Sequence, residues 1–262
     1  DDPDDHSTPH AINSTKQIVR KSYLHNSWGA AQFASEISGS NALERIQSRV
    51  QNYWERQLQK RLLATLAGVK ADNIANNDGD MVLDISAETG DKAKFSAEAV
   101  IDCAGTMGDA LQDVTGIAMH GDLYRAALKA DLIEFIKDSS GSLSLPTFRG
   151  LVVVQDDSMP VADGVYTSAL FGRGAIGFGM TAPRIAAGTA IETIESAGQG
   201  GGVEILHSRY NIGLHPAGYS WVEAVGAVAG ESPTIAELSN AAVWSRVVDR
   251  KAVKLAFLVS KL

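Results

Sequence analysis

The chain has 262 residues, 45% of them apolar and 21% charged, long enough to bury roughly 70–75% of its unfolded surface without metals or disulfides. A disordered or fibrous protein is excluded on composition alone. Lys and Arg number 23 against 31 Asp and Glu, a formal charge of -8, which argues against a dedicated nucleic-acid binder.

Residues 1–35 are polar and poorly periodic, and the first ten carry Asp1, Asp2, Asp4 and Asp5 with no Lys or Arg. They are expected to form an extended arm. Tyr23, Trp28 and Phe33 punctuate it and need a surface to cover them, either their own domain or a neighbouring subunit. The N-terminus lacks a basic region followed by an apolar one, and no run of about 18 apolar residues occurs, so neither a signal peptide nor a membrane span is expected. Synthesis inside a cell follows.

The most legible element is a helix predicted over Ala42–Ala67, capped by Ser40 or Asn41 and stopped by Gly68. Leu43, Ile46, Val50, Tyr53, Trp54, Leu58, Leu62 and Leu66 fall on one broad arc that rotates along the axis. Arg45, Arg49, Arg56 and Lys60 gather on the opposite face, where like charges at spacing four give one another no support. With Arg61, the helix holds five basic residues against Glu44 and Glu55, a net of +3. The plain reading is a solvated basic face answered by acids elsewhere; the functional one is an anionic partner beneath it.

Further along, Met81–Ile85 reads as a short strand and Phe95–Leu111 as a helix around Cys103. Ile117–Met119, Leu143–Leu145, Leu151–Val154, Val165–Phe171 and Ile176–Met180 read as strands, with a short helix at Asp122–Ala130. Glu204–Leu214 and Tyr219–Val225 are expected to pair as a long hairpin. A helix is predicted over Thr234–Trp244, with Ser232 as its cap, before a last strand at Ala252–Val259. The class is α+β.

No catalytic constellation emerges. Gly172, Gly174 and Gly177, with Glu192 beyond, match the spacing of a dinucleotide fingerprint, but the glycines do not open a helix, so a glycine-rich turn is the better reading. Of the six histidines, His6, His10, His25, His120, His207 and His215, only the first two share a metal-compatible spacing, and no helix fixes them. Cys103 is expected to be a packed thiol. No cofactor or metal is expected.

The ordered series of segments resembles the major capsid proteins of tailed bacteriophages, which share the Hong Kong 97 capsid fold. It runs from the long helix with Tyr53-Trp54 through Phe95-Ser96-Ala97-Glu98, Ile117-Ala118-Met119-His120, Asp131 to Ile136 and Val153 to Asp157. It continues with Tyr166-Thr167-Ser168, Phe171-Gly172, Gly200-Gly201-Gly202, Leu214 to Trp221 and Ser232-Pro233-Thr234, covering about residues 27–262.

The resemblance implies a long spine helix, a peripheral domain and an axial domain. Residues 1–35 would be an N-terminal arm with the remnant of an extended loop; 36–94 with 200–222 the peripheral domain; 95–199 with 223–262 the axial domain. It implies a structural coat protein, not an enzyme, that assembles with itself into pentamers and hexamers of an icosahedral shell around double-stranded DNA. Decoration, scaffold and portal proteins would be further partners, and the place of work the virion capsid, assembled in the host bacterial cytoplasm with no membrane involved. Tyr23, Trp28, Phe33, Arg45, Arg49, Arg56 and Lys60 are the expected interface residues. The alternatives are a cellular nanocompartment shell of the same fold and a soluble α+β enzyme built on the Gly172–Gly177 loop.

Overall fold

The computed structural model describes residues 14–39, 41–137, 144–197, 201–223 and 228–262; the acidic stretch Asp1–Asp5, His6 and His10 lie outside them. The first strand, β1 (Lys21–Ala31), alternates in burial, with Ser22, Leu24, Asn26, Trp28 and Ala30 facing inward. The arm expectation is therefore corrected over these residues. Their alternation gives them a sheet partner within the chain, and Ile18 in the extended stretch ahead is bonded to Ser220 and Trp221.

A short helix, α1 (Gln32–Ser38), ends at Gly39 with φ +62°. The long helix α2 (Ala42–Asn76) follows, its N-cap Asn41 accepting from the backbone N–H groups of Leu43 and Glu44. At 35 residues it is about 52 Å long. Gly68 does not stop it. A Cβ at Gly68 would lie 2.2 Å from the Leu238 carbonyl oxygen and 2.6 Å from Trp244 Nε1, so the glycine marks a close approach to the helix, not its end.

The first sheet is built on β11 (Val203–Pro216). One edge takes β1 along its whole length, from Lys21 opposite Gly213 to Ala31 opposite Val203. The other edge is shared by β10 (Thr189–Ile194) and β9 (Ile176–Thr181). With β1 on one edge of β11 from Val203 to Gly213 and β10 and β9 on the other, the long hairpin expected for Glu204–Leu214 has no free edge to pair with. Tyr219–Trp221 (β12) turns away and pairs with Trp244–Arg246 (β13). Gly218, at φ +87° with its Cβ position 2.7 Å from Val248, makes that turn.

The second sheet has eight strands. In spatial order they are β2 (Val82–Asp84), β14 (Leu255–Lys261), β8 (Val165–Gly172), β3 (Val114–Met119), β6 (Leu151–Gln155), β5 (Ser144–Phe148) and β4 (Ile133–Lys137), with β7 (Val161–Ala162) on β8. β14, β8 and β3 are apolar on both faces because both are covered, whereas the apolar run of β6 leaves Val152 and Val154 exposed on one face. Leu170, Ile117, Met119, Ala256 and Leu258 point into a core closed by α3 (Ala97–Gly105) and α4 (Gly121–Lys129). Their neighbours Ala169, Ala118, Leu255 and Phe257 point into a second core under the C-terminal half of α2.

Two predicted helices are shorter than expected. α3 gives way to a 3-10 turn at Gly108, whose φ of +62° does not continue a helix. The late helix is only α5 (Ile235–Leu238) followed by the 3-10 turn Ala241–Val243. Its cap is Thr234, not Ser232, because Glu237 completes a capping box with Thr234.

Candidate assembly surfaces

The N-terminal half of α2 is fastened to the first sheet by a run of rings. Trp28, Tyr53, Trp54 and Tyr210 meet in succession edge to face, each pair with centroids 5.2 Å apart. Trp54 Nε1 donates to Ser208 Oγ at 2.9 Å, satisfying the buried indole. Trp28 is thus covered by its own domain. Arg61 is buried on the next turns, its Nη1 donating to Ser22 Oγ (3.2 Å) and to the Pro233 carbonyl (3.0 Å). It is a tie between helix, β1 and the loop before α5, not a member of a solvent face.

The remaining expected interface residues stay open. Arg45, Arg49, Arg56 and Lys60 are all exposed, and among the described residues none forms an ion pair. The stripe is real as a surface, and no acid of the described fold answers it. Tyr23 and Phe33 are 54% and 49% exposed, with the Lys21 ammonium 5.0 Å from the Tyr23 ring centroid. The structure therefore separates the seven: Trp28 packs within the subunit, Arg45, Arg49, Arg56 and Lys60 form a basic surface on α2, and Tyr23 on β1 and Phe33 on α1 are separate exposed aromatics.

The far end of α2 is fixed by polar groups that the sequence did not single out. Asn73 Nδ2 donates to Asp80 Oδ1 at 2.7 Å and Asn73 Oδ1 accepts from the Met81 N–H. Arg246 Nη1 reaches both Asp80 oxygens (2.7 and 2.8 Å), and Arg250 bridges the Asp80 carbonyl, the Val253 carbonyl and Thr106 Oγ1. Partial burial pulls the other way, yet the hydrogen bonds from Arg246 and Asn73 hold the Asp80 carboxyl below its usual range. These bonds join α2, β13 and the core under α3. Beside them Asp72 is 1% exposed, with Oδ1 accepting from Asn76 and Oδ2 unpartnered among the described residues. Burial pushes its carboxyl above the usual range, against the pull of Asn76 and Arg246.

Chemistry is sparse elsewhere. Gly172 ends β8, Gly174 sits in a turn at φ +77° and Gly177 lies in β9, so the glycine trio is a strand–turn–strand with no helix N-terminus for a pyrophosphate. Cys103 is fully buried, and burial pushes its thiol up to about 12, where it is neither nucleophile nor ligand at neutral pH. Asp156 accepts from the Ser158 N–H in a turn. Ser27, His207 and Glu192 are hydrogen-bonded in a row (2.8 and 2.9 Å) across β1, β11 and β10. They lie on the sheet face turned away from α2 and tie three strands together. Among the described residues no three His, Cys, Asp or Glu converge on a metal position, and no helix is long and apolar enough to cross a membrane.

Residues 41–254 match the family model Gp13-like, described as major capsid protein 13-like. Over 257 residues the chain is 39% identical to the major capsid protein of Bacillus phage SPP1, the match spanning 96% of this chain and 75% of that relative. Among solved structures, the capsid asymmetric unit of cyanophage Pam1 covers 99% of this chain and 81% of its own, with a TM-score of 0.53 and 9% identity, a likeness of fold. The holo-SrpI encapsulin complex from Synechococcus elongatus PCC 7942 superposes with a TM-score of 0.47 and 10% identity over 91% of this chain and 73% of that one.

Proposed function

The chain belongs to the Gp13-like family of phage major capsid proteins, and from that premise we propose that it forms the pentamers and hexamers of an icosahedral shell around double-stranded DNA. The fold is the Hong Kong 97-like capsid fold, and the place of work is the virion capsid. The observation that carries the reading is the 39% identity to a phage major capsid protein across 96% of the chain. The same observation favours a viral coat over a cellular compartment.

The physics of the subunit is consistent with a purely structural role. A shell needs a rigid element that crosses the subunit, and α2 supplies one, fixed at one end by rings and at the other by Asp80 and its arginines. It also needs several modest surfaces, because assembly multiplies weak contacts through valency. The basic stripe and the apolar residues of α1 fit that need. We assign 36–94 with 200–222 to the peripheral domain and 95–199 with 223–262 to the axial domain. The pairing of β1, β9 and β10 with β11 favours one change to that division, the transfer of β1 from the arm and of β9 and β10 from the axial stretch to the peripheral unit. Packaged DNA, portal, scaffold and decoration proteins are the further partners of this reading, with assembly in the host cytoplasm.

Negative-stain microscopy and size exclusion of the purified chain test it. Closed shells, pentamers or hexamers are expected; a strict monomer at high concentration in both low and high salt would overturn the proposal.

A further inference from the structure

The C-terminal half of α2 leaves a trough uncovered. Its floor is Leu63, Ala67 and Ala71, with Met159 and Pro160 forming the opposite wall. A cavity of about 210 Å³ opens into it, continuous through Leu63, Ala67 and Pro160 with a wider hollow of about 530 Å³ toward Ile235. A dry apolar cavity of roughly 150 Å³ accepts a benzene ring, so this one has room for a phenyl side chain. Lys60 stands at one end and Lys70 at the other. Ten residues separate them, about 15 Å along the axis. Neither forms an ion pair among the described residues; Lys70 Nζ donates to Thr167 Oγ1 at 2.9 Å and is attracted by the Asp84 carboxylate, which leaves Lys60 as the unanswered cation of the pair.

One element of the chain has the complementary shape and charge. Helix α1 carries Phe33 and Ile37, 49% and 72% exposed, four residues apart on one face, with the exposed Glu36 flanking that face on the Phe33 side. Seven residues long, it spans about 10 Å, less than the axial distance between positions 60 and 70. Its own chain holds it at its start, where the Gln32 N–H donates to the Gly202 carbonyl and Gln32 Nε2 to Glu204, and at Ser35, whose Oγ accepts from the Ala42 N–H at 3.3 Å; Phe33, Glu36 and Ile37 project into solvent.

We propose that α1 of one copy seats in this trough of a second copy, Phe33 entering the cavity and Glu36 pairing with Lys60. The proposal rests on the shell-subunit reading and adds a specific contact to it. It is a helix-in-groove contact, anchored by two apolar side chains and oriented by charge.

Mixing provides the test, because Cys103 is the only native thiol and can be replaced by Ser. Subunits bearing Glu36→Cys are co-assembled with subunits bearing Lys60→Cys, both in the Cys103→Ser background, and mildly oxidised. A disulfide-linked dimer that appears only on assembly is expected. Shells that form without it overturn the proposal and leave the shell reading standing, whereas failure of the unmodified chain to assemble strikes the shell reading. A second measurement reads the same contact without cysteines. Glu36→Lys should raise the concentration needed for assembly roughly tenfold, and combining it with Lys60→Glu should restore assembly. Unchanged assembly of the Glu36→Lys variant overturns the contact.

Discussion

Gly68 and Trp244 approach so closely that a Cβ on the glycine would stand 2.6 Å from the indole Nε1. The indole has no room to retreat, since Nε1 donates to the Leu238 carbonyl at 2.8 Å and the ring packs edge to face on Trp221 at 5.2 Å. Two effects compete in Gly68→Ala. Helix propensity gains about 1 kcal/mol; overpacking against a backbone oxygen and a locked ring costs about 1–3 kcal/mol and more where nothing yields. The steric effect should win, so Gly68→Ala is expected to lower the thermal unfolding midpoint of the isolated subunit. A midpoint equal to or above that of the unmodified protein would show that α2 can shift away from Trp244.

This pair also shows where sequence reading stops. The apolar arc of α2, its Asn41 cap, the strands at 114–119, 165–172 and 176–181 and the buried Cys103 are all written in local pattern, and they stand. A glycine in a helical pattern, by contrast, has two physical causes, a left-handed terminus or a close neighbour, and only the position of Trp244, far along the chain, decides between them. The same holds for β1. With polar Ser22 and Asn26 among its inward positions it reads as poorly periodic, and its partner, β11, lies about 180 residues later. Tyr219–Trp221 could be read as a strand, whereas its pairing depended on whether the edges of β11 were free. The basic stripe was legible because it is periodic on a single helix. Asp80 with Arg246 and Arg250 was not, since three separate segments bring those groups together.

Cys103 should behave as a packed thiol. Cys103→Ser places a hydroxyl among Val100, Met107, Ile117 and other apolar side chains and should cost about 1–3 kcal/mol of subunit stability, with assembly retained. In the native state a maleimide should label the unmodified protein only on the timescale of unfolding. Labelling within seconds under native conditions would place the thiol at the surface instead.

Asp72 and Asp80 should respond to acid in opposite directions. The Asp72 carboxyl is held above its usual value by burial, so above both its folded and unfolded pKa the fold carries a penalty for its charge, relieved as pH falls through the folded value. Asp72→Asn keeps an acceptor for Asn76 and removes that charge; its unfolding midpoint at pH 7 should exceed that of the unmodified chain, the gap closing in acid. Asp80 is held below 3.8, so its stabilisation is complete above the unfolded pKa and disappears as pH falls through the lower folded one. Asp80→Asn should lower the midpoint at pH 7, a loss reduced by salt because the carboxylate is about a third exposed. Thermal unfolding of the three proteins at pH 7 and in mild acid reads both signs; an Asp72→Asn midpoint below the unmodified one at pH 7 would mean that the carboxylate is needed ionised.

The basic stripe admits a decisive comparison between its two anionic partners, packaged DNA and acidic segments of adjacent subunits such as Asp1–Asp5. Arg45, Arg49 and Arg56 are exposed on α2 and lack ion pairs among the described residues, so replacing all three by Gln should leave subunit folding nearly unchanged, at about 0–1 kcal/mol per exposed charge. Lys60 is left in place because it also borders the trough. A DNA contact is sequence-independent and weakens steeply with salt through counterion release, and it is absent from an empty shell. A contact with the acidic arm is screened by salt as well but operates before any DNA enters. If the stripe faces DNA, the triple variant should form empty shells at the normal yield and lose packaged genome on a salt wash that the unmodified particle survives. If it faces the arm, the yield of empty shells should itself fall. Normal yield with normal genome retention would make the stripe a solvated helix face with neither role.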